Sequence, residues 1–203
     1  LDVKPYERML SVLDKLIKKT EYHFDYIDLG GGMGINYNND NINLNFKRYC
    51  SSIKKFIKKH PSIIIFEPGR SIIGNSGILI SKIIYIKEGY KKNFVILDAA
   101  MNDLIRPALY GAKHRIIPLK KNNLKSNKVY EFVGPICEST DKFLTQKKFQ
   151  KVSEKEFIII CDVGAYGMSL SSNYNLRPKA TELLIRNSKV QIISKRQKLK
   201  ELI

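Results

Sequence analysis

Eight consecutive residues constrain this chain more than any other stretch: Ile63-Ile64-Ile65-Phe66-Glu67-Pro68-Gly69-Arg70. Four apolar, mostly β-branched residues predict a short buried strand, and a carboxylate, a Pro-Gly turn and an arginine arrive together at its end. A parallel α/β barrel carries its chemistry at that end of its strands. A second stretch of the same design, Tyr26-Ile27-Asp28-Leu29, runs into Gly30-Gly31-Gly32-Met33-Gly34, whose bare backbone can approach an anion closely.

The segments around these two strands follow a β/α rhythm. Pro5 suits a first helical turn, and Met9, Leu10, Leu13, Leu16 and Ile17 recur on one face, predicting a helix that ends near Thr20. An asparagine-rich connection from Asn36 to Asn45 precedes a second helix over about Phe46 to Lys59, with Phe46, Tyr49, Ile53, Phe56 and Ile57 inward and Pro61 closing it. Beyond Arg70 the pattern becomes strand-like: Ile78 to Ile86, Phe94 to Asp98, Arg115 to Leu119, Val129 to Ile136, Phe157 to Cys161, Glu182 to Arg186, and Lys189 to Ser194. Several of these alternate apolar and polar residues as half-buried antiparallel strands do. The expected division is a β/α portion over 1–75 and a β-rich domain over 76–203. Two strand-and-helix units cannot close a barrel of eight, so the chain is expected to be the C-terminal part of a longer protein.

Composition excludes several function classes. No run of about 18 apolar residues occurs, and Leu1-Asp2-Val3-Lys4-Pro5 has no signal-peptide pattern, which predicts a cytoplasmic protein without a membrane partner. Cys50, Cys137 and Cys161 are odd in number and lack Cys-x-x-Cys spacing, against both a disulfide framework and a metal site. The formal charge of +17 invites a nucleic-acid partner. The lysines are scattered pairs on expected solvated faces with no aromatic interleaving, so no nucleic acid is expected.

Three further clusters put polar groups at strand ends. Arg106-Pro107-Ala108-Leu109-Tyr110-Gly111 sets an arginine and a tyrosine at a strand-to-loop junction, Cys137-Glu138-Ser139-Thr140-Asp141 sets a thiol beside a carboxylate, and Gly164-Ala165-Tyr166 surrounds a tyrosine with small residues. From its setting alone Cys137 reads as a buried structural thiol. Glu67, directly after Ile-Ile-Ile-Phe, would be costly there without a partner.

In their order, Asp-Leu-Gly-Gly-Gly, Glu-Pro-Gly-Arg, Arg-Pro-Ala-Leu-Tyr-Gly, Cys-Glu-Ser-Thr-Asp and Gly-Ala-Tyr, these motifs resemble diaminopimelate decarboxylase, a pyridoxal-phosphate enzyme of the alanine-racemase-like fold, from the first helix to about Arg186. The resemblance implies the C-terminal portion of a pyridoxal-phosphate-binding β/α barrel followed by a β-rich, Greek-key-like barrel domain. It also implies a homodimer with shared active sites, and conversion of meso-diaminopimelate to L-lysine and carbon dioxide. Gly31 and Gly32 would hold the cofactor phosphate, Glu67 would face the pyridine nitrogen, and Pro68, Gly69, Arg70 and Tyr166 would complete the cofactor's surroundings. Arg70, Arg106 and Tyr110 would grip substrate carboxylate, Glu138 the distal ammonium, and Tyr166 both cofactor and substrate. Cys137 would donate the proton that replaces carbon dioxide. No lysine here stands in the family's cofactor-lysine motif, so the chain by itself is expected to hold cofactor weakly and not to turn over. Ornithine-type decarboxylases share the glycine loop and Glu-Pro-Gly-Arg but carry Asp-Gly after the cysteine. A non-catalytic half-enzyme is the reading from another class.

Overall fold

A computed structural model describes residues 1–37 and 43–203, so the middle of the expected Asn36–Asn45 connection lies outside the described residues. The chain divides into two units, Leu1–Gly74 and Asn75–Ile203.

In the first unit, helices α1 (Lys4–Thr20) and α2 (Phe46–Lys59) alternate with strands β1 (Tyr26–Asp28) and β2 (Ile63–Ile65). Pro5 lies in the first turn of α1, where its missing N–H costs nothing, and Lys18 and Lys19 sit in the last turn, favourably placed for the helix dipole. Asn45 caps α2 by accepting from the Arg48 amide at 3.0 Å. Arg48 then grips Glu7 of α1 with two parallel hydrogen bonds of 2.8 and 2.6 Å. The strands pair in parallel, Tyr26 beside Ile63 and Asp28 beside Ile65. Val3, Leu10, Ile27, Leu29, Tyr49, Ile53 and Phe56 form the core of this unit.

Three expectations are corrected here. Ile63, Ile65 and Phe66 are exposed rather than buried, because both helices pack on one face of the ribbon. Side chains alternate across a strand, so Ile27 and Ile64 face that core while Tyr26, Ile63 and Ile65 face away. Phe46 and Leu16, expected inward, are also exposed, and Val3 and Tyr6 join the core in their place.

The second unit is a six-stranded sheet of β3 (Leu79–Lys87), β4 (Lys92–Leu97), β5 (Ile116–Pro118), β6 (Val129–Val133), β7 (Lys142–Gln146) and β8 (Phe157–Ile160), in the order β5-β8-β3-β4-β6-β7. Neighbours are antiparallel except β4 and β6, which run parallel. The antiparallel pattern expected of several of these segments holds for the other pairs, and the long connection between β4 and β6 supplies the crossover that a parallel pair needs. Strand β7 was not anticipated: only Phe143 is buried in it, and an edge strand flanked by lysines shows little alternation. A separate hairpin joins β9 (Glu182–Arg186) to β10 (Lys189–Ser194). Its turn, Asn187-Ser188, has positive φ at both residues, as a tight two-residue hairpin requires.

Ile83, Val95, Leu97, Phe132, Ile158 and Ile160 are sealed in the sheet core, where Phe132 stacks edge-to-face with Phe149 at 5.2 Å. None of the described helices is long and apolar enough to cross a membrane.

One buried charge ties three strands together. Glu131 of β6 accepts from Lys92 of β4 at 2.6 Å and lies 3.4 Å from Lys142 of β7. Burial pushes its carboxyl up, but the Lys92 hydrogen bond and the charges of both lysines outweigh this and hold it below the ordinary value. A lowered folded pKa stabilises the unit above the ordinary glutamate value and loses that stabilisation as pH falls through the folded one. Glu131→Gln should therefore cost about 1–2 kcal/mol at neutral pH, a modest figure because both lysines are partly solvated. It should also flatten the acid limb of a melting-temperature profile, and a variant with an unchanged acid limb would refute the assignment.

Candidate active site

The pairing of β1 with β2 continues past both strands. The Leu29 amide donates to Ile65 at 3.0 Å, and the Glu67 amide donates to the Gly30 carbonyl at 2.8 Å. Asp28 turns back to accept from the Gly30 amide at 2.7 Å. The glycine loop and the Glu-Pro-Gly-Arg segment are thus joined backbone to backbone at the carboxyl ends of two parallel strands.

Each of the first three glycines answers a steric demand. Gly30 and Gly32 have φ of 64° and 79°, with open space where a Cβ would stand. A Cβ on Gly31 would lie 2.2 Å from the Glu67 carbonyl oxygen, so only glycine permits that approach. Glu67 itself is exposed, which removes the expected cost of burying its carboxylate. Pro68 is half-buried, Gly69 exposed, and Arg70 half-buried at the start of α3 (Arg70–Ile73).

In the second unit Arg106 opens a five-residue helix, α4 (Arg106–Tyr110), where the sequence suggested a strand-to-loop junction. Pro107 in the first turn and Gly111 in a left-handed cap with φ of 62° bracket this helix. Arg106 is only 5% exposed, and its guanidinium lies 5.5 Å from the centre of the Tyr166 ring. Tyr166 has φ of 59°, strained for a bulky residue, and leaves about half its surface, 47%, open. Tyr110, at the other end of α4, is exposed. His114 is buried with Nδ1 at 3.0 Å from the Cys161 carbonyl, and burial lowers its pKa, with the Arg106 charge adding to the effect.

Cys137 and Glu138 ride on a loop closed around one carboxylate. Asp141, 3% exposed, accepts from Met101 at 2.7 Å through Oδ1 and from Ile136 at 2.9 Å through Oδ2. Its own carbonyl accepts from Gly134 at 3.0 Å. A Cβ on Gly134 would lie 2.2 Å from Asp141 Oδ2. Burial pushes the Asp141 carboxyl up, against the pull of those two amides. The effect is to present Cys137 and Glu138 side by side and exposed, which overturns the reading of Cys137 as a buried thiol; the buried thiol is Cys161.

The expected residues therefore form two sets. Gly31, Gly32, Glu67, Pro68, Gly69 and Arg70 share the paired strand ends of the first unit. In the second unit Arg106 is stacked with Tyr166, and Cys137 and Glu138 share one loop. Sequence reasoning missed the supports: Asp141 as the loop's anchor, Asn102, Arg177 and Tyr174, whose hydroxyl donates to Glu138. The polar run Ser171-Ser172-Asn173-Tyr174-Asn175 before Arg177-Pro178 was the available signal for a pinned turn.

Comparison with known proteins gives this arrangement a family. The chain is 39% identical over 201 residues to a diaminopimelate decarboxylase of Aquifex aeolicus, covering 97% of this chain and 47% of that protein. It is 38% identical over 197 residues to that of Vibrio cholerae, covering 97% and 46%. It spans about half the length of the curated relatives it matches. Among solved structures, a Helicobacter pylori diaminopimelate decarboxylase complexed with L-lysine superposes over 100% of this chain and 50% of its own, with a TM-score of 0.88 at 37% identity. The enzyme from M. jannaschii superposes over 100% and 48%, with a TM-score of 0.89 at 34% identity. Residues 10–164 match the family model of the pyridoxal-dependent decarboxylases, C-terminal sheet domain, and the chain belongs to that family.

Proposed function

We propose that this chain serves the pyridoxal-phosphate-dependent decarboxylation of meso-diaminopimelate to L-lysine and carbon dioxide. The observation that carries this reading is the Asp141-anchored loop, which holds an exposed thiol and an exposed carboxylate adjacent in a chain related to diaminopimelate decarboxylases.

The residues fit the cofactor. Gly30 and Gly32 leave open the space a Cβ would fill, and Gly31 can lie against the Glu67 backbone only because it has no side chain. Such a bare loop suits the amides of Gly31 and Gly32 to a phosphate, and the neighbouring Pro68-Gly69 turn extends the same surface. Glu67 would keep a pyridine nitrogen protonated, and a protonated ring supplies the sink for the electron pair that departing carbon dioxide leaves behind.

The other groups then have distinct tasks. Arg70 and Arg106 offer forked donors that can each take both oxygens of a carboxylate, and Tyr110 adds a hydroxyl. The Tyr166 ring, 5.5 Å from the Arg106 guanidinium, would steady that group by a cation–π contact and would add a contact to cofactor and substrate. Glu138 would pair with the distal ammonium of the substrate. Cys137 would transfer its thiol proton to the carbon that has lost carbon dioxide, and solvent would restore it. L-lysine keeps the distal ammonium and carboxylate of the substrate, so it should occupy the same contacts. Cys137 and Glu138 would act in the active site of a second copy, making the protein a homodimer with shared sites.

Four outcomes test this in the protein as its source cell makes it. Cys137→Ala should lower kcat for meso-diaminopimelate by about 100-fold or more, the usual range for a lost general acid, while KM moves little. Turnover that prefers ornithine would replace this reading with the ornithine-type one, and no turnover of either would favour a non-catalytic chain. Gly31→Ala should weaken pyridoxal-phosphate binding by about tenfold or more, read from the cofactor's absorbance, because the added methyl must displace backbone. Mixing inactive Cys137→Ala and Glu67→Ala variants should restore part of the activity, since one site of a mixed dimer would be intact. A mixture that stays dead would exclude shared sites.

A further inference from the structure

Both partners of the Tyr174–Glu138 hydrogen bond are exposed, and Tyr174 is 45% so. A surface contact of that kind contributes little to folding, yet the backbone that displays Tyr174 is firmly held. The Ser172 amide donates to the Asn102 carbonyl at 2.9 Å, and the Asn102 side chain returns a bond to the Ser172 carbonyl at 3.3 Å. Asn173 donates to the Arg177 carbonyl at 2.9 Å, and Arg177 donates through Nε to Asn102 Oδ1 at 2.8 Å. Within this brace Asn175 and Leu176 both take left-handed conformations, with φ of 56° and 54°. Two such residues in succession are strained, and persist where their surroundings over-determine them.

The carboxylate side is fixed from the same place. The loop bearing Glu138 closes on Asp141, which accepts from the amide of Met101, the residue before Asn102. A single turn, Ala100–Asp103, therefore anchors both the segment that carries the phenol and the loop that carries the carboxylate. The hydrogen bond to Glu138, and then its charge, hold the Tyr174 phenol above its usual pKa.

We propose that Tyr174 is a positioning residue for Glu138, holding one carboxylate oxygen so that the other is presented to the distal ammonium of an amino-acid substrate. This rests on the assignment of Glu138 to that ammonium. A neutral hydroxyl orients the carboxylate without cancelling its charge, whereas a lysine in the same place would compete with the substrate for it. The effect should appear in binding and not in the chemical step, because the distal end does not change during the reaction.

The test is a double-mutant cycle of Tyr174→Phe and Glu138→Ala, read by calorimetric binding of L-lysine and by KM and kcat for meso-diaminopimelate. Tyr174→Phe should weaken L-lysine binding and raise KM by about tenfold, the size expected for a lost hydrogen bond to a charged group, with kcat within about twofold. Glu138→Ala should weaken both by more. Adding Tyr174→Phe to Glu138→Ala should change nothing further. If Glu138→Ala weakens binding and Tyr174→Phe does not, Glu138 keeps its assignment and Tyr174 loses its own. If Glu138→Ala is silent, the assignment of Glu138 fails and takes this one with it. Equal losses from Tyr174→Phe in both backgrounds, or a fall in melting temperature that accounts for the loss, would mark the tyrosine as structural and overturn the proposal.

Discussion

A buried carboxylate with two backbone amides on it is the interaction on which the rest of the second unit's chemistry depends. Removing Asp141 from water is unfavourable, and the shift of its carboxyl upward expresses that cost. The hydrogen bonds from Met101 and Ile136 offset part of it and, in doing so, fix two chain segments that are not neighbours in sequence. A half-satisfied carboxylate in that position would be worse than an apolar side chain, so the loop has little freedom to rearrange. Gly134 completes the arrangement, since any side chain there would occupy the space of the carboxylate itself.

That clasp is one node of a wider network. Asp98, at the end of β4, accepts from Ser81 at 2.6 Å and from the Lys82 amide at 2.8 Å, binding the strand end to β3. Arg177 donates to the Asp98 carbonyl and to Asn102, and stands 3.7 Å from Asp103. Burial raises the Asp103 carboxyl, and the nearby Arg177 charge works against that shift. The sheet's register is thus carried outward through polar contacts to loops that would otherwise be loose. The first unit solves the same problem differently: its glycine loop is fixed by main chain against main chain, and the absence of side chains is what allows the contact.

This difference decides what could be read in the sequence. The β/α rhythm and the helices α1 and α2 were legible because Pro5 and the apolar spacing act within a few residues of one another. The bare Gly30–Gly32 loop was legible as a run, but Gly31 answers to Glu67, 36 residues on, and not to a local φ demand. Strand β7 was not, because an edge strand with only Phe143 buried derives its identity from β6 rather than from its own pattern. The exposure of Ile63 and Ile65 was hidden too: an apolar run states a preference for burial, not which face a neighbour covers. Site motifs could be located by residue type, whereas Asp141, Asn102 and Arg177 act over separations of 40 to 75 residues, which no local pattern encodes.

The exposure of Cys137 and Glu138 bears on how they would act. In open water a carboxylate attracts an ammonium only weakly, so Glu138 offers little binding energy while the loop stands in solvent. The same pair becomes far stronger where water is excluded, provided the carboxylate is already oriented and needs no reordering when the site fills. Orientation would then have to come from groups outside the site, and on the proposed reading it comes from a tyrosine on a braced turn, an aspartate inside the loop, and one strand-end turn that anchors both. Flexible surface residues would have to be ordered by the substrate at the expense of affinity. If Glu138 has the proposed task, the fold has done the ordering in advance, at a position where a charged group can remain solvated until its partner arrives.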